Sequence, residues 1–273
     1  MRACLVAVAL VLAACSSATK RDVMDGAVAD PPPGCRPSPS GIVQVVSSNL
    51  SMRTDLAAAF AATPGGGTCS DMTMGSCVAS TSTQGPGMLP HLVGAGTITV
   101  GGGATMLTAM PMTNPTDGST SYETVTATQP LWQGGELITV AASGGSDVPA
   151  FSTTLAAPAP ATVTTPARPA GGAPLVQLRQ SDLALAWSGE GYGTVDAVMA
   201  SLNVYVHCRW PVAAHGGAIP AAMLAMLPAS TSLSVTRQSE QQRVEGAWSI
   251  DVILASGSVD DAGGLASYDV TLQ

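Results

Sequence analysis

Apolar residues recur at every second position in segment after segment of this chain, and clusters of Gly, Pro, Asn or Asp separate those segments. A period of two puts successive side chains on opposite faces of a strand, whereas a helix needs apolar residues three or four apart. The alternation predicts strands over 42–47, 97–101, 105–109, 122–128, 136–142 and 151–155. A second group is predicted over 175–179, 182–187, 202–210, 232–237, 243–255 and 266–272. Over 243–255 the inward set is Gly246, Trp248, Ile250, Val252 and Leu254, and Trp187 and Trp210 also fall on inward phases. Residues 53–62 fit either a helix, through Leu56 and Phe60, or an alanine-rich strand. Only 220–227 reads clearly as helix, with Pro220 in the first turn, Leu224 and Leu227 on one face and Pro228 ending it. Short, regularly spaced strands of this kind imply an all-β protein, an antiparallel β-sandwich of two Ig-like modules with one short helix near 220–227.

Two breaks in composition divide the chain. Residues 15–40 are polar and then proline-rich, which suits an extended tether rather than a packed core. Residues 158–174 carry Pro158, Pro160, Pro166, Pro169 and Pro174 among alanines and threonines. They read as a linker between a module at 41–157 and another at 175–273, or as a proline-laden edge strand joining two sheets of one domain. No fixed-period identity relates the two halves.

At the start of the chain, Arg2 precedes an apolar stretch from Ala3 to Ala14, too short to span a bilayer as a helix, which needs roughly 20 residues. Leu12, Ala13, Ala14 and Cys15 resemble the lipobox of bacterial lipoproteins. The resemblance implies that 1–14 is a signal peptide and that Cys15 becomes a lipidated amino terminus. Several acyl chains, palmitate among them, would then hold the protein on the envelope, since one chain alone binds only marginally. The inner-membrane retention aspartate of that family is absent, because Ser16 and Ser17 follow the cysteine; the outer membrane is the expected location. The layout as a whole resembles that of uncharacterised β-rich envelope lipoproteins, a resemblance that carries no activity with it.

Charge limits the choice of partners. Removing 1–14 takes away Arg2 and leaves 9 basic against 18 acidic residues, a formal charge of −9. A basic nucleic-acid-binding face is therefore not expected. Charged residues make up 10% of the chain, against about a quarter in typical proteins. The expected partners are membrane lipid, through acylated Cys15, and an envelope or extracellular ligand.

Four further cysteines follow Cys15. Their short spacing favours Cys69 paired with Cys77 around a small Gly-rich loop, a closure contributing about 2–3 kcal/mol. Cys208 falls on the inward phase of its strand, either as a buried free thiol or bonded to Cys35.

No motif for catalysis, cofactor or metal emerges. The three histidines, His91, His207 and His215, have no zinc-module spacing. G-x-S-x-G does not occur. Asp260 and Asp261 read as a solvated loop, and Asp117 and Asp147 lack the spacing of a calcium loop. Residues 189–193 (GEGYG) read as a β-turn rather than a phosphate cradle. Trp132 and Tyr192 lie near turns and are the candidate ligand contacts. The sequence thus points to a membrane-anchored lipoprotein with a non-enzymatic binding, adhesive or envelope-structural role. The alternatives are a secreted polymer hydrolase, which would gather Asp182, Asp196 or His207 in a concave pocket, and a glycan-binding module.

Overall fold

A computed structural model describes residues 39–62, 67–84, 91–201 and 204–273. Cys15, Cys35, the leader at 1–14 and almost all of the 15–40 segment lie outside the described residues. The chain opens with β1 (Ser40–Ser48), β2 (Arg53–Ala61), β3 (Gly67–Met74) and β4 (Cys77–Gln84). Short strands follow: β5 (Ile98–Gly101), β6 (Leu107–Ala109), β7 (Pro111–Thr113), β8 (Thr120–Tyr122), β9 (Val125–Ala127), β10 (Leu137–Ala142) and β11 (Phe151–Ala156). The next group is β12 (Thr162–Thr165), β13 (Leu175–Gln177), β14 (Leu183–Ser188), β15 (Thr194–Ala200), β16 (Val204–Pro211) and β17 (Gly216–Ile219). One short helix, α1 (Ala221–Leu224), precedes β18 (Ser230–Glu245), β19 (Trp248–Gly257), β20 (Val259–Asp260) and β21 (Ser267–Leu272).

The protein is all-β and mainly antiparallel, as the period-two alternation predicts. Among the described residues, eleven strands form one sheet in the order β3-β4-β16-β15-β18-β19-β1-β2-β9, with β21 beside β18 and β13 beside β21. Two four-stranded sheets, β11-β10-β5-β6 and β17-β14-β12-β20, supply the facing layer. One apolar cluster joins Val43, Val45, Leu56 and Phe60 to Ile98, Val100, Ile138, Val140, Trp248, Ile250 and Leu254. The other joins Val163, Leu183, Leu185 and Trp187 to Val195, Met199, Val206, Trp210 and Leu233. Fully burying each large side chain in these clusters contributes about 1.5–3 kcal/mol.

The core boundary does not follow the proline-rich segment. β1 runs parallel to β19, so that Ser40–Ser47 stand beside Ser249–Ser256. β4 pairs with β16. Residues 158–174 contain β12, which pairs with β14 and places Val163 in the second cluster. Residues 53–61 form a strand, resolving the helix-or-strand ambiguity.

Residues 243–255 are not one strand. Glu245 pairs with Trp248 across a two-residue turn, where Gly246 adopts a φ of 63°. Tight hairpins need such a positive φ, so Gly246 belongs to the turn, while Trp248, Ile250, Val252 and Leu254 point inward as expected. The predicted helix is one turn long, with Met223, Leu224 and Leu227 buried. The Asp182 carboxylate accepts a hydrogen bond from the Ala221 N–H at 2.8 Å, capping that turn from β14's approach.

The expected Cys69–Cys77 pair is corrected. Cys77 is bonded to Cys208, its direct cross-strand neighbour in the β4–β16 ladder. The segment between Cys69 and Cys77 is a hairpin ladder and not a loop: Met74 stands opposite Cys77, and Cys69 opposite Ser82. At about 3.4 Å per residue, this sets the Cys69 and Cys77 backbones roughly 17 Å apart along the strands, beyond the reach of a disulfide. Cys208 is inward, as its phase predicts, but neither free nor bonded to Cys35. The bond spans 131 residues of sequence, so it restricts the unfolded chain strongly. Replacing both Cys77 and Cys208 by Ala should lower the unfolding free energy by about 2–4 kcal/mol in urea titration. Peptide mapping without reduction should recover Cys77 linked to Cys208 and not to Cys69.

Candidate functional site

The core-facing residues of β15 and β16 alternate with a polar row on the other side of the large sheet. Val195, Ala197, Val206 and Cys208 face the core, while Asp196, His207 and Arg209 face away from it. One carboxylate oxygen of Asp196 accepts from His207 Nε2 at 2.7 Å and from Arg209 Nε at 2.8 Å. Its other oxygen accepts from the Thr194 hydroxyl. Arg209 reaches on to the Glu240 carboxylate at 2.7 Å, so the network ties β15, β16 and β18 together. Burial opposes ionisation of Asp196, which is fully inaccessible, but the His207 hydrogen bond, the charges of Arg209 and His207 and the Thr194 hydroxyl outweigh it. Its carboxyl is held below the ordinary range as a result.

This constellation is saturated. His207 makes no hydrogen bond to a serine, threonine or cysteine among the described residues, and both Asp196 oxygens are occupied. Asp182 is engaged at α1 instead of joining the pair. Asp196 and His207 are thus brought together as the hydrolase alternative requires, but within a sheet-stapling network. His215 lies apart in the turn before β17, at a φ of 53°. His91 lies in the segment leading to β5, where its carbonyl accepts from Ala62. Among the described residues, no group of three or more His, Cys, Asp or Glu is placed to hold a metal ion.

The other loop residues act locally. Asp117 accepts from Ser119, and Asp147 from Ser146. Asp260 is not solvated: it is buried, accepting from the Ala262 and Gly264 N–H groups and from Arg168. Asp261 remains exposed.

Trp132 is corrected from ligand contact to core residue. It is 3% exposed, and its indole N–H donates to Ser256 Oγ at 2.8 Å. The preceding Leu131 N–H is held by Ser47 Oγ and Thr54 Oγ1, which draws this turn into the seam between the sheets. An internal acceptor for the indole N–H removes the reason for the ring to stay in water.

Tyr192 is exposed at 52%. Its loop is built by Gly189, Gly191 and Gly193, all at positive φ. The Arg237 guanidinium donates to the Glu190 and Tyr192 carbonyls, each at 2.8 Å. The loop therefore converges carbonyls on a cation, the reverse of a phosphate cradle, whose N–H groups converge on an anion. A side chain at Gly193 would collide with the Gln238 carbonyl, which fixes the loop against β18. Tyr192 and Gly193 form one wall of a shallow cleft of about 430 Å³, Leu155 and Ala156 of β11 the other, and Ser239 to Gln241 of β18 the floor.

Sequence reading missed β15, whose Val195, Ala197 and Met199 do alternate, and it missed Arg237 as the clamp of the glycine loop. No family model matches the chain, and no curated protein matches it. One solved structure, from a study of the host-cell-surface retention of a 1.5-MDa bacterial ice-binding adhesin, aligns at 13% identity over 88% of this chain and 67% of that one. Its TM-score is 0.19, well below the level of a shared fold.

Asp196→Asn should cost about 3–5 kcal/mol at neutral pH, because it leaves Arg209 and His207 buried beside a neutral amide. The lowered carboxyl pKa stabilises the native state above the unfolded value of about 4, and that contribution is lost as pH falls through the folded value. Urea titrations at pH 7 and in the acid range should show the gap between wild type and Asp196→Asn closing on acidification.

Proposed function

We propose that this protein is a lipid-anchored envelope lipoprotein with a non-enzymatic binding or adhesive role, and that ligand is met at the Tyr192 cleft. The observation that carries the reading is the pairing of an exposed aromatic ring with a rigid backing. Tyr192 stands in solvent while Arg237 grips the carbonyls on its loop. Exposed rings that are already ordered make contact area at little entropic cost, which is why binding surfaces favour them. The lipobox at Cys15 supports attachment to the outer membrane, and a tether of polar and proline-rich residues would hold the folded body clear of the headgroups. The Asp196–His207–Arg209 network supports a binding role over a hydrolytic one, since among the described residues His207 bonds Asp196 and no serine, threonine or cysteine, and the one hydroxyl at Asp196, that of Thr194, is a donor to its carboxylate.

The test combines anchor and cleft. Cys15→Ala should lose incorporation of a labelled fatty acid and move from the membrane to the soluble fraction. In the soluble Cys15→Ala background, Tyr192→Ala should lose most of the added protein's retention on intact bacterial cells and isolated envelopes. Unchanged retention in Tyr192→Ala would remove the cleft from the account.

A further inference from the structure

The cleft's chemistry narrows its ligand. Arg237 and Glu240 are engaged within the protein, and Glu190 of the glycine loop is exposed but does not line the cleft. The Arg237 guanidinium donates into the glycine loop, and Glu240 is paired with Arg209 across the sheet at 2.7 Å. An ionic ligand seated in the cleft would meet, among the residues that line it, no charge other than the already paired Glu240. What remains is a phenol ring in solvent, a short apolar wall of Leu155 and Ala156, and a hydroxyl on the floor. That hydroxyl, Ser239 Oγ, is buried and has no hydrogen-bond partner among the described residues. A buried polar atom left unpaired costs about 1–3 kcal/mol, so a ligand hydroxyl reaching it would relieve that cost.

The cleft is also ill suited to an added strand. β11 is the edge of its sheet, and the Thr153 hydroxyl donates to Gln241 on β18, tying that strand to the facing layer. Only Leu155 and Ala156 border the cleft, too short a run for strand addition, which relies on a row of main-chain hydrogen bonds. An uncharged molecule with one face of C–H groups and a rim of hydroxyls meets all these conditions.

We propose that the cleft binds a neutral saccharide unit, its C–H face stacked on Tyr192 and a hydroxyl directed to Ser239 Oγ. This rests on the reading of the cleft as the ligand site. The glycine loop and Arg237 then serve as positioning groups that hold the ring before ligand arrives.

The test is isothermal titration of the purified full chain with cello-, malto- and chito-oligosaccharides, using wild type, Tyr192→Phe, Tyr192→Ala and Ser239→Ala. The wild type should bind at least one of these neutral series. Tyr192→Phe should bind within about twofold of it, and Tyr192→Ala should be weaker by about tenfold, equivalent to 1.4 kcal/mol. Ser239→Ala should weaken binding several-fold with an unchanged circular dichroism spectrum. Binding that is equal in Tyr192→Ala and wild type would overturn the proposal. So would failure of every neutral oligosaccharide to bind while Tyr192→Ala still abolishes retention on cells, an outcome that spares the cleft and excludes the saccharide. Loss of neither property on mutation would overturn both.

Discussion

The parallel ladder between β1 and β19 is the contact on which the remaining architecture depends. It joins Ser40–Ser47 to Ser249–Ser256, segments separated by most of the described chain, and closure over such a length is entropically costly. The compensation is apolar: Val43, Val45, Ile250, Val252 and Leu254 from these two strands are fully buried in one cluster. Parallel pairs are usually covered on their core side by other elements, and here β5, β6, β10 and β11 provide the cover. Once β1 is placed, β2 and β9 follow on one side, while β18, β15, β16 and β4 extend the sheet on the other. The Cys77–Cys208 bond then fixes the far end.

Beneath that ladder runs a polar seam between the two apolar clusters. Ser47 and Thr54 hold the Leu131 amide, and Ser256 accepts from Trp132 while donating to the Pro158 carbonyl. Arg237 sits opposite Ser256 in the β18–β19 register and opposite Val195 in the β15–β18 register. The same row of residues thus stitches the facing layers together and delivers a guanidinium to the glycine loop. Buried hydroxyls and a buried cation are tolerated there because their partners are backbone carbonyls and each other. Tyr192 owes its position to this seam: the loop is shaped by its glycines but anchored by Arg237 of β18, 45 residues later in the chain.

Local pattern made the strands legible and left their pairing hidden. Alternation identified most of the long strands and placed Trp187, Trp210, Trp248 and Cys208 inward, because the face of a side chain depends only on its own strand's period. It could not pair Cys77 with Cys208, since cross-strand register is a property of two segments 131 residues apart. Proximity in sequence favoured Cys69, and the β3–β4 ladder carried that residue away. Trp132 misled for a related reason: a turn-rich setting suggests exposure, but Ser47, Thr54 and Ser256 arrive from distant strands to bury it. β15 was overlooked because Val198, on the same outward phase as Asp196, blurs the alternation of Val195, Ala197 and Met199. Of the candidate site, Tyr192 and its glycines could be read locally; Arg237, Ser239 and the β11 wall could not.

If β1 and β19 are the central joint, the two apolar clusters belong to one cooperative unit despite the proline-rich segment between the halves. Native-state hydrogen exchange measures this directly. The amides of β1 and β19 should exchange only with the global unfolding transition, at the same free energy as those of β15 and β18. Exchange from β1 and β2 that is orders of magnitude faster, with β15, β16 and β18 still protected, would show two independently unfolding modules and contradict the account.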